Sequence, residues 1–226
     1  MLWIGLDDTD TLESPGTGRL ARQFAAALAL DYRVLGVTRH QLLIDPRVPC
    51  TKNNSSAAIA LDAELEPAAL LDQARAWMLD QHQPGSDPGL CIAHQVPPEI
   101  IEYGRRVQRH LVTQADARSL AAAYDIPLVG LGGDEGGVIG ALAAVGLAAS
   151  GDDGRYVWVG NSRELSGLQR VPTLLAAGVH GVQTADGQPV TDGLVWSDKL
   201  RPARRGGKPI AVVEWTGAYW LPLKLD

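Results

Sequence analysis

Cysteine is nearly absent from this chain of 226 residues: only Cys50 and Cys91 occur, so at most one disulfide can form. A four-cysteine zinc site within the chain is excluded, and buried free thiols are the expected state. No apolar run approaches the ~20 residues that a membrane span needs. The N-terminus has no basic segment followed by an apolar stretch and a small-residue cleavage site. No membrane partner is therefore expected, and the cytoplasm is the expected compartment. A surplus of positive charge is lacking too: 20 Lys and Arg stand against 26 Asp and Glu, a formal net charge of -6. That balance argues against broad electrostatic capture of nucleic acid. A local basic cluster is still present in Arg201, Arg204, Arg205 and Lys208.

What the chain has is 46% hydrophobic residues, enough to bury a substantial core as one large domain or a domain with a small appendage. Leu2-Trp3-Ile4-Gly5-Leu6 ends abruptly in carboxylates, the pattern of a buried strand that delivers a polar loop at its carboxyl end. Sites of α/β proteins commonly lie there. The loop runs through Ser14-Pro15-Gly16-Thr17-Gly18 into an alanine-rich helix over residues 20–28. Further strands are expected at 34–37, 57–61 and 89–93. Helices are expected from Pro67 through Met78, from Glu99 to Leu111 and from Thr113 to Tyr124, the last with Thr113 as N-cap.

Val138 to Gly146 is apolar on every side, so that helix belongs in the core. Beyond Gly151-Asp152-Asp153-Gly154, strands are expected at 155–159, 210–215 and 219–223. The expected class is α/β (α+β), a mixed sheet flanked by helices with a smaller C-terminal β-rich or ferredoxin-like appendage. The expected boundary divides residues 1–152 from 153–226.

Asp7, Asp8 and Asp10 crowd three carboxylates into Asp7-Asp8-Thr9-Asp10, and a divalent cation between them relieves the repulsion. Magnesium suits oxygen ligands and commonly bridges protein to nucleotide phosphates. The competing reading is a solvated acidic turn in which Asp8 or Asp10 caps the next helix. Thr17 and Gly18 precede a helix whose free amides suit an anion, though Thr17 as a plain cap is the safer reading of these residues alone. Gly130-Leu131-Gly132-Gly133-Asp134-Glu135-Gly136-Gly137 offers a second set of amides, or simply a tight turn; it lacks the Lys-Ser/Thr ending of a P-loop. Lys52 and Asn53 lie in a polar loop suited to phosphate or base. His82, His94, His110 and His180 show neither metal-ligand spacing nor a nucleophile partner, so structural or surface roles are expected for them.

Ile4-Gly5-Leu6-Asp7-Asp8-Thr9-Asp10, the Gly16-Thr17 loop, Pro46 to Pro49 and Gly137-Val138-Ile139-Gly140-Ala141-Leu142-Ala143-Ala144-Val145-Gly146, in this order, resemble the archaeal agmatinylcytidine synthetases, which modify the anticodon of an isoleucine transfer RNA. The resemblance spans roughly residues 1–150. It implies a kinase-like ligase domain that cleaves ATP to AMP and pyrophosphate, activates a cytosine carbonyl by phosphorylation, and lets agmatine displace the phosphate. It implies metal-binding roles for Asp7, Asp8 and Asp10 with Mg2+, a phosphoryl-accepting Thr17, and a glycine-bearing helix start at Gly137 and Gly140; Thr9, Gly16, Gly18, Gly132, Gly133 and Gly136 are further expected nucleotide contacts.

Pro172 to Gly181 resembles part of the family's ferredoxin-like domain. By its length the chain is expected to be too short for a full ferredoxin-like domain followed by the family's OB-fold, and its two cysteines cannot make the zinc ribbon, so a separate RNA-binding protein and another small amine are alternatives for the partners. Asp134 and Glu135 depart from the basic character usual before the glycine-bearing helix, and Thr51-Lys52 stands where the family tends to have Lys-Thr. Two other readings stand beside this one. Asp8-Thr9-Asp10-Thr11 after an apolar strand fits an aspartate-nucleophile phosphohydrolase of the haloacid dehalogenase type. A non-catalytic module that binds a nucleotide or a partner is the other.

Overall fold

The structure is a computed structural model that describes residues 1–51, 53–81 and 83–225. Strand β1 (Leu2–Asp7) leads into α1 (Thr17–Leu28), β2 (Arg33–Gln41), β3 (Ser55–Asp62), α2 (Pro67–Gln81) and β4 (Gly89–Ala93). Helices α3 (Pro98–Val107) and α4 (Gln114–Ala123), strand β5 (Leu128–Gly130) and helix α5 (Val138–Ser150) follow. Next come β6 (Arg155–Trp158), β7 (Leu168–Arg170), α6 (Val171–Ala176), β8 (Gly181–Thr184) and β9 (Leu194–Trp196). The chain closes with β10 (Ala203–Arg205), β11 (Lys208–Trp215) and β12 (Trp220–Pro222). The strands form one sheet in the order β5-β4-β1-β3-β2-β6-β10-β11-β12-β9-β7, with β8 on β11. Pairing is antiparallel except at β8–β11 and β9–β12. This is the expected mixed sheet flanked by helices, with a β-rich C-terminal stretch. Strand β6, the first beyond residue 152, pairs with both β2 and β10, so the sheet is continuous there.

Alternation along β1 sorts its side chains to two cores, because successive residues of a strand face opposite sides. Leu2, Ile4 and Leu6 join Ile59, Leu61, Leu90 and Ile92 against Phe24 and Leu28 of α1 and Leu70 and Met78 of α2. The opposite face carries small residues, Ala58, Ala60, Cys91 and Ala93, against α3, α4 and α5. That choice lets α5 come unusually close: a Cβ on Gly5 would overlap the Ala141 carbonyl oxygen. On its far side α5 meets α3 just as tightly, since a Cβ on Gly146 would overlap the Ile100 carbonyl and one on Gly104 would press on Leu147. A helix held between a sheet and another helix has no solvent face, which is why its sequence is apolar all round. A third, smaller core of Val171, Leu174, Val195, Leu200 and Val213 underlies the C-terminal strands.

Two helix ends differ from expectation for local reasons. Helix α1 begins at Thr17, earlier than the apolar run at Leu20, because Asp10 accepts a hydrogen bond from the Thr17 amide and so caps the first turn. Helix α3 stops at Val107 instead of reaching Leu111. The following Thr113 adopts an extended conformation and forms a reciprocal capping box with Asp116, which starts α4 and ends any continuation of α3. Strands β5, β7, β9 and β10 have three residues each, too short for a two-residue period to register in the sequence.

The basic cluster read from the sequence divides in space. Arg204 is buried, donating to the Ala148 carbonyl at the end of α5 (3.0 Å) and to the Tyr156 hydroxyl (2.6 Å), with its guanidinium 5.1 Å from the Trp3 ring centre. It adds a second donor to a C-terminal helix carbonyl that also accepts the Gly151 amide (3.3 Å). Arg205 stays exposed and donates to the Asp152 carbonyl (3.3 Å).

Candidate functional site

Close packing of α5 on the sheet builds the site. The first turn of α5 arrives where β1 ends and β4 begins, so that a Cβ on Gly137 would overlap the Gly89 amide and one on Gly140 would overlap the Asp7 carboxyl group. Glycine at 140 therefore makes the space into which Asp7 projects. Asp8 follows in the left-handed region at φ 51°, which an aspartate tolerates better than most residues, and this turns the chain out of the sheet. A cleft of about 800 Å3 opens here. Its lining includes the acidic residues Asp7, Asp8, Asp10, Asp87 and Asp134 together with Leu42, Val107, His110 and Leu111.

Asp10 is fully engaged. Its Oδ1 accepts from the Thr17 amide (3.2 Å) and the Thr17 hydroxyl (2.9 Å), and its Oδ2 accepts from the Thr51 hydroxyl (2.9 Å). Asp7 and Asp8 are the opposite case, carboxyls crowded without a cationic partner among the described residues. Burial, and then the charge of Asp8, push Asp7 up to about 8. Burial, and then the charges of Asp87, Asp10 and Asp134, push Asp8 up to about 6.

The sequence-derived residues separate into those that reach the cleft and those that shape it. Asp7, Asp8, Asp10, Thr17, Asn53, Gly136 and Gly140 line it. Thr9 turns inward instead, and its buried hydroxyl has no hydrogen-bond partner among the described residues. Gly16 is the N-cap of α1 and Gly18 lies in its first turn. Gly132 accepts from the Glu135 amide (3.1 Å), and Gly133 takes φ 60° beside Asp87. The Gly136 amide donates to Asp134 Oδ1 (2.7 Å) and the Gly137 amide to the Asp87 carbonyl (3.0 Å), so in this state both are occupied within the chain. Lys52, like His82, lies outside the described residues.

Sequence reasoning missed Asp87, which reaches across to accept from the Asp134 amide (2.8 Å), and it assigned His110 to the structural or surface class although it lines the cleft. Asp87 sits alone in Gly85-Ser86-Asp87-Pro88, and only the pairing of β4 with β1, which sets Gly89 opposite Asp7, brings it close to Asp8. Among the described residues no group of three or more His, Cys, Asp or Glu side chains stands in a metal-holding arrangement. The donor set that fits magnesium is the smaller one of Asp7 and Asp8, since this ion is commonly held by one or two carboxylates with phosphate and water completing its shell.

No protein-family model matches the chain. An uncharacterized protein of Methanocaldococcus jannaschii is 28% identical over 150 residues, which cover 64% of this chain and 49% of that protein. Among solved structures, the complex of TiaS with its isoleucine transfer RNA and ATP superposes with a TM-score of 0.56 at 22% identity, covering 64% of this chain and 36% of TiaS. Apo TiaS, a transfer RNA agmatidine synthetase, gives 0.56 at 21% identity, and a tRNA fluorescent labeling enzyme gives 0.57 at 21%; each comparison covers 64% of this chain and 35% of that one. The chain shares part of the TiaS fold. This is the fold that the sequence resemblance implies, and the chain spans about half of the curated relative and about a third of TiaS. Among the described residues no helix is long and apolar enough to cross a membrane.

Proposed function

We propose that the cleft belongs to an ATP-using, phosphotransferring synthetase in which Thr17 receives a phosphoryl group and Asp7 and Asp8 hold Mg2+. The observation that carries this reading is Asp10 Oδ1, which receives both the amide and the hydroxyl hydrogen of Thr17 at the edge of an acidic cleft. A hydroxyl that donates to a carboxylate has its lone pairs directed away from that carboxylate and its proton already aimed at a base. Asp10 then takes the proton as the Thr17 oxygen forms its new bond to phosphorus, and the bond from that phosphorus to the departing nucleotide or pyrophosphate oxygen breaks. Magnesium, when bound, supplies charge neutralisation on the polyphosphate.

Asp7 and Asp8 suit that role because burial and mutual repulsion make a nearby cation favourable. Gly140 keeps room for Asp7, and release of Asp134 from Gly136 frees an amide for phosphate at the start of α5. Thr9, Gly16, Gly18, Lys52, Asn53, Gly132, Gly133 and Gly137 complete the nucleotide surround, mainly by shaping its loops. TiaS structures with ATP share this fold, which supports ATP as the nucleotide. Glu13, Asp87 and Asp134 give the remaining wall a negative character that suits agmatine or another small amine as co-substrate. Transfer RNA modification in the cytoplasm, with RNA held by this chain or by a separate RNA-binding protein, is the setting that the resemblance favours.

Incubation with ATP and Mg2+, followed by phosphorus NMR and intact-protein mass spectrometry, tests the reading. Formation of AMP and pyrophosphate, or one added phosphoryl group lost in Thr17→Ala, is the expected result. Tight ATP binding without turnover would favour the non-catalytic module. Rapid hydrolysis of phosphate esters without ATP would favour the aspartate-nucleophile phosphohydrolase.

A further inference from the structure

The turn between β5 and α5 is closed by its own acidic residues. Asp134 Oδ1 accepts the Gly136 amide (2.7 Å), and Asp134 and Gly136 both line the cleft. The next three amides also donate within the chain: Gly137 to the Asp87 carbonyl (3.0 Å), Val138 to the Glu135 carbonyl (3.2 Å) and Ile139 to the Gly136 carbonyl (3.2 Å). Those three acceptors belong to the backbone. Asp134 alone reaches its amide with a side chain, which rotates away without unwinding the turn. A phosphate oxygen that approaches the Gly136 amide therefore meets a carboxylate already bound there by a charge-assisted hydrogen bond. Two anions do not share one donor at close range, because their charges repel.

The turn is fastened from two other segments. Asp87 accepts the Asp134 amide (2.8 Å), and Gly133 at φ 60° leaves no room for a Cβ beside the same carboxylate. Gln114 of α4 donates to the Asp134 carbonyl (2.8 Å). Glu135 takes φ 63°, a left-handed conformation that disfavours residues other than glycine. Its side chain lies against Gly130, the last residue of β5, where a Cβ would overlap it, and its carboxylate pairs with Arg118 of α4. Helix α4 is anchored in the core by Ala117 and Ala121, so Arg118 holds Glu135 from a fixed support. A plain Asx turn, common where an aspartate precedes a helix, accounts for the Asp134 contact. It does not account for a left-handed neighbour clamped by an ion pair to another helix.

We propose that Asp134 is an autoinhibitory latch, occupying the Gly136 amide until a polyphosphate displaces it, with the Arg118–Glu135 pair as the catch that holds it closed. The latch lowers the apparent affinity of the cleft for phosphate in proportion to the fraction of molecules that stand open. It rests on the reading of the cleft as a polyphosphate site and concerns the regulation of that site. Loss of the catch lets Glu135 leave its unfavourable conformation, and Asp134, the residue before it, moves with it.

Titration calorimetry of the full chain with magnesium tripolyphosphate tests the latch in the parent protein, Asp134→Asn and Arg118→Met. Asp134→Asn keeps an oxygen that accepts the Gly136 amide but loses the charge that strengthens the bond, and should bind about tenfold more tightly. Arg118→Met removes a positive charge, so electrostatics alone predicts weaker binding. Release of the catch predicts the opposite, binding about two- to fivefold tighter. Without ligand, hydrogen exchange at the Gly136 amide of Arg118→Met should quicken by a similar factor, read by NMR. Arg33→Met, which removes an exposed arginine paired with Asp62, should match the parent in both measurements. Weaker or unchanged binding by Arg118→Met, unchanged binding by Asp134→Asn, unaltered exchange at Gly136, or no binding by any of the proteins would overturn the proposal. Phosphorus NMR with ATP separates it from the proposed chemistry. Turnover by the parent without tighter binding in the variants sinks the latch alone, whereas tighter tripolyphosphate binding in the variants without turnover keeps the latch and sinks the ATP-dependent reaction.

Discussion

Asp10 holds Thr17 twice, taking its amide at 3.2 Å and its hydroxyl at 2.9 Å on a single carboxylate oxygen. Helix capping and hydroxyl orientation are thus joined in one side chain. The reading of Asp10 as a helix cap and the reading of the acidic run as a reaction centre describe the same contacts from two sides.

Asp10→Ala should accordingly lose both properties. Removing the cap and the Thr51 hydrogen bond should cost about 1–2 kcal/mol in urea unfolding. Thr17→Ser keeps the hydroxyl and should retain ATP-dependent labelling, whereas Thr17→Ala should abolish it with the fold intact. Equal labelling in Thr17→Ala and the parent protein would exclude Thr17 as acceptor.

Glycines at 140 and 5 should respond differently to alanine. Alanine ordinarily favours a helix by about 1 kcal/mol over glycine, but at 140 its Cβ would displace the Asp7 carboxyl. Gly140→Ala should therefore change stability by about 1 kcal/mol or less while removing the stabilisation conferred by ATP and Mg2+. Gly5→Ala drives a Cβ into the backbone of α5 at Ala141, which no side-chain rotation relieves. A loss of about 3 kcal/mol or more is expected, read by chemical denaturation.

Stability should fall as pH rises. Asp7 stands at about 8 and Asp8 at about 6 against an ordinary value of 3.8, so the folded state binds protons that the unfolded chain has released. The contribution is fully favourable below ~4, declines up to about 6 for Asp8 and about 8 for Asp7, and is flat beyond. Asp7→Asn should flatten the upper part of this decline in thermal melts. Because magnesium needs the ionised carboxylates, it should raise the melting temperature more at about pH 9 than at about pH 5.

Buried His40 links β2 to the turn before β6. It lies 2.8 Å from the Thr38 hydroxyl and 2.7 Å from Asp153 Oδ1, while Gln108 of the α3 C-cap donates to Asp153 Oδ2 (2.9 Å). Burial alone would raise Asp153, but the hydrogen bonds and charge from His40 and Gln108 outweigh it and hold this carboxyl below its ordinary value. Asp153→Ala leaves a buried ring nitrogen without a partner and should cost about 1–3 kcal/mol, measured by urea unfolding. His40→Ala together with Asp153→Ala should cost less than the sum of the single changes.

Much of the scaffold was legible in the sequence because its signals are local. The apolar run of β1 ending in aspartates, the proline opening α2, the Thr113 cap and the all-round apolar character of α5 each depend on neighbours a few residues away. Strands β7, β9 and β10 were not legible, since three residues carry no usable period, whereas β12, equally short, falls inside the expected 219–223. His110 looked incidental for a related reason: nothing near it in the chain shows that the end of α3 faces the loop after β1.

Chain order alone therefore determined the α/β class, the acidic loop after the first strand and the buried small-residue helix, because periodicity and turn chemistry act over a few residues. Only the tertiary structure decided which carboxylates meet. Strand register carried Asp87 and Asp134 to Asp8, and the close seating of α5 on Gly5 gave Asp7 its place. It also divided the C-terminal basic cluster, burying Arg204 under the sheet and leaving Arg205 exposed. Convergence of this kind depends on packing between segments far apart in sequence, which no local pattern of residues records.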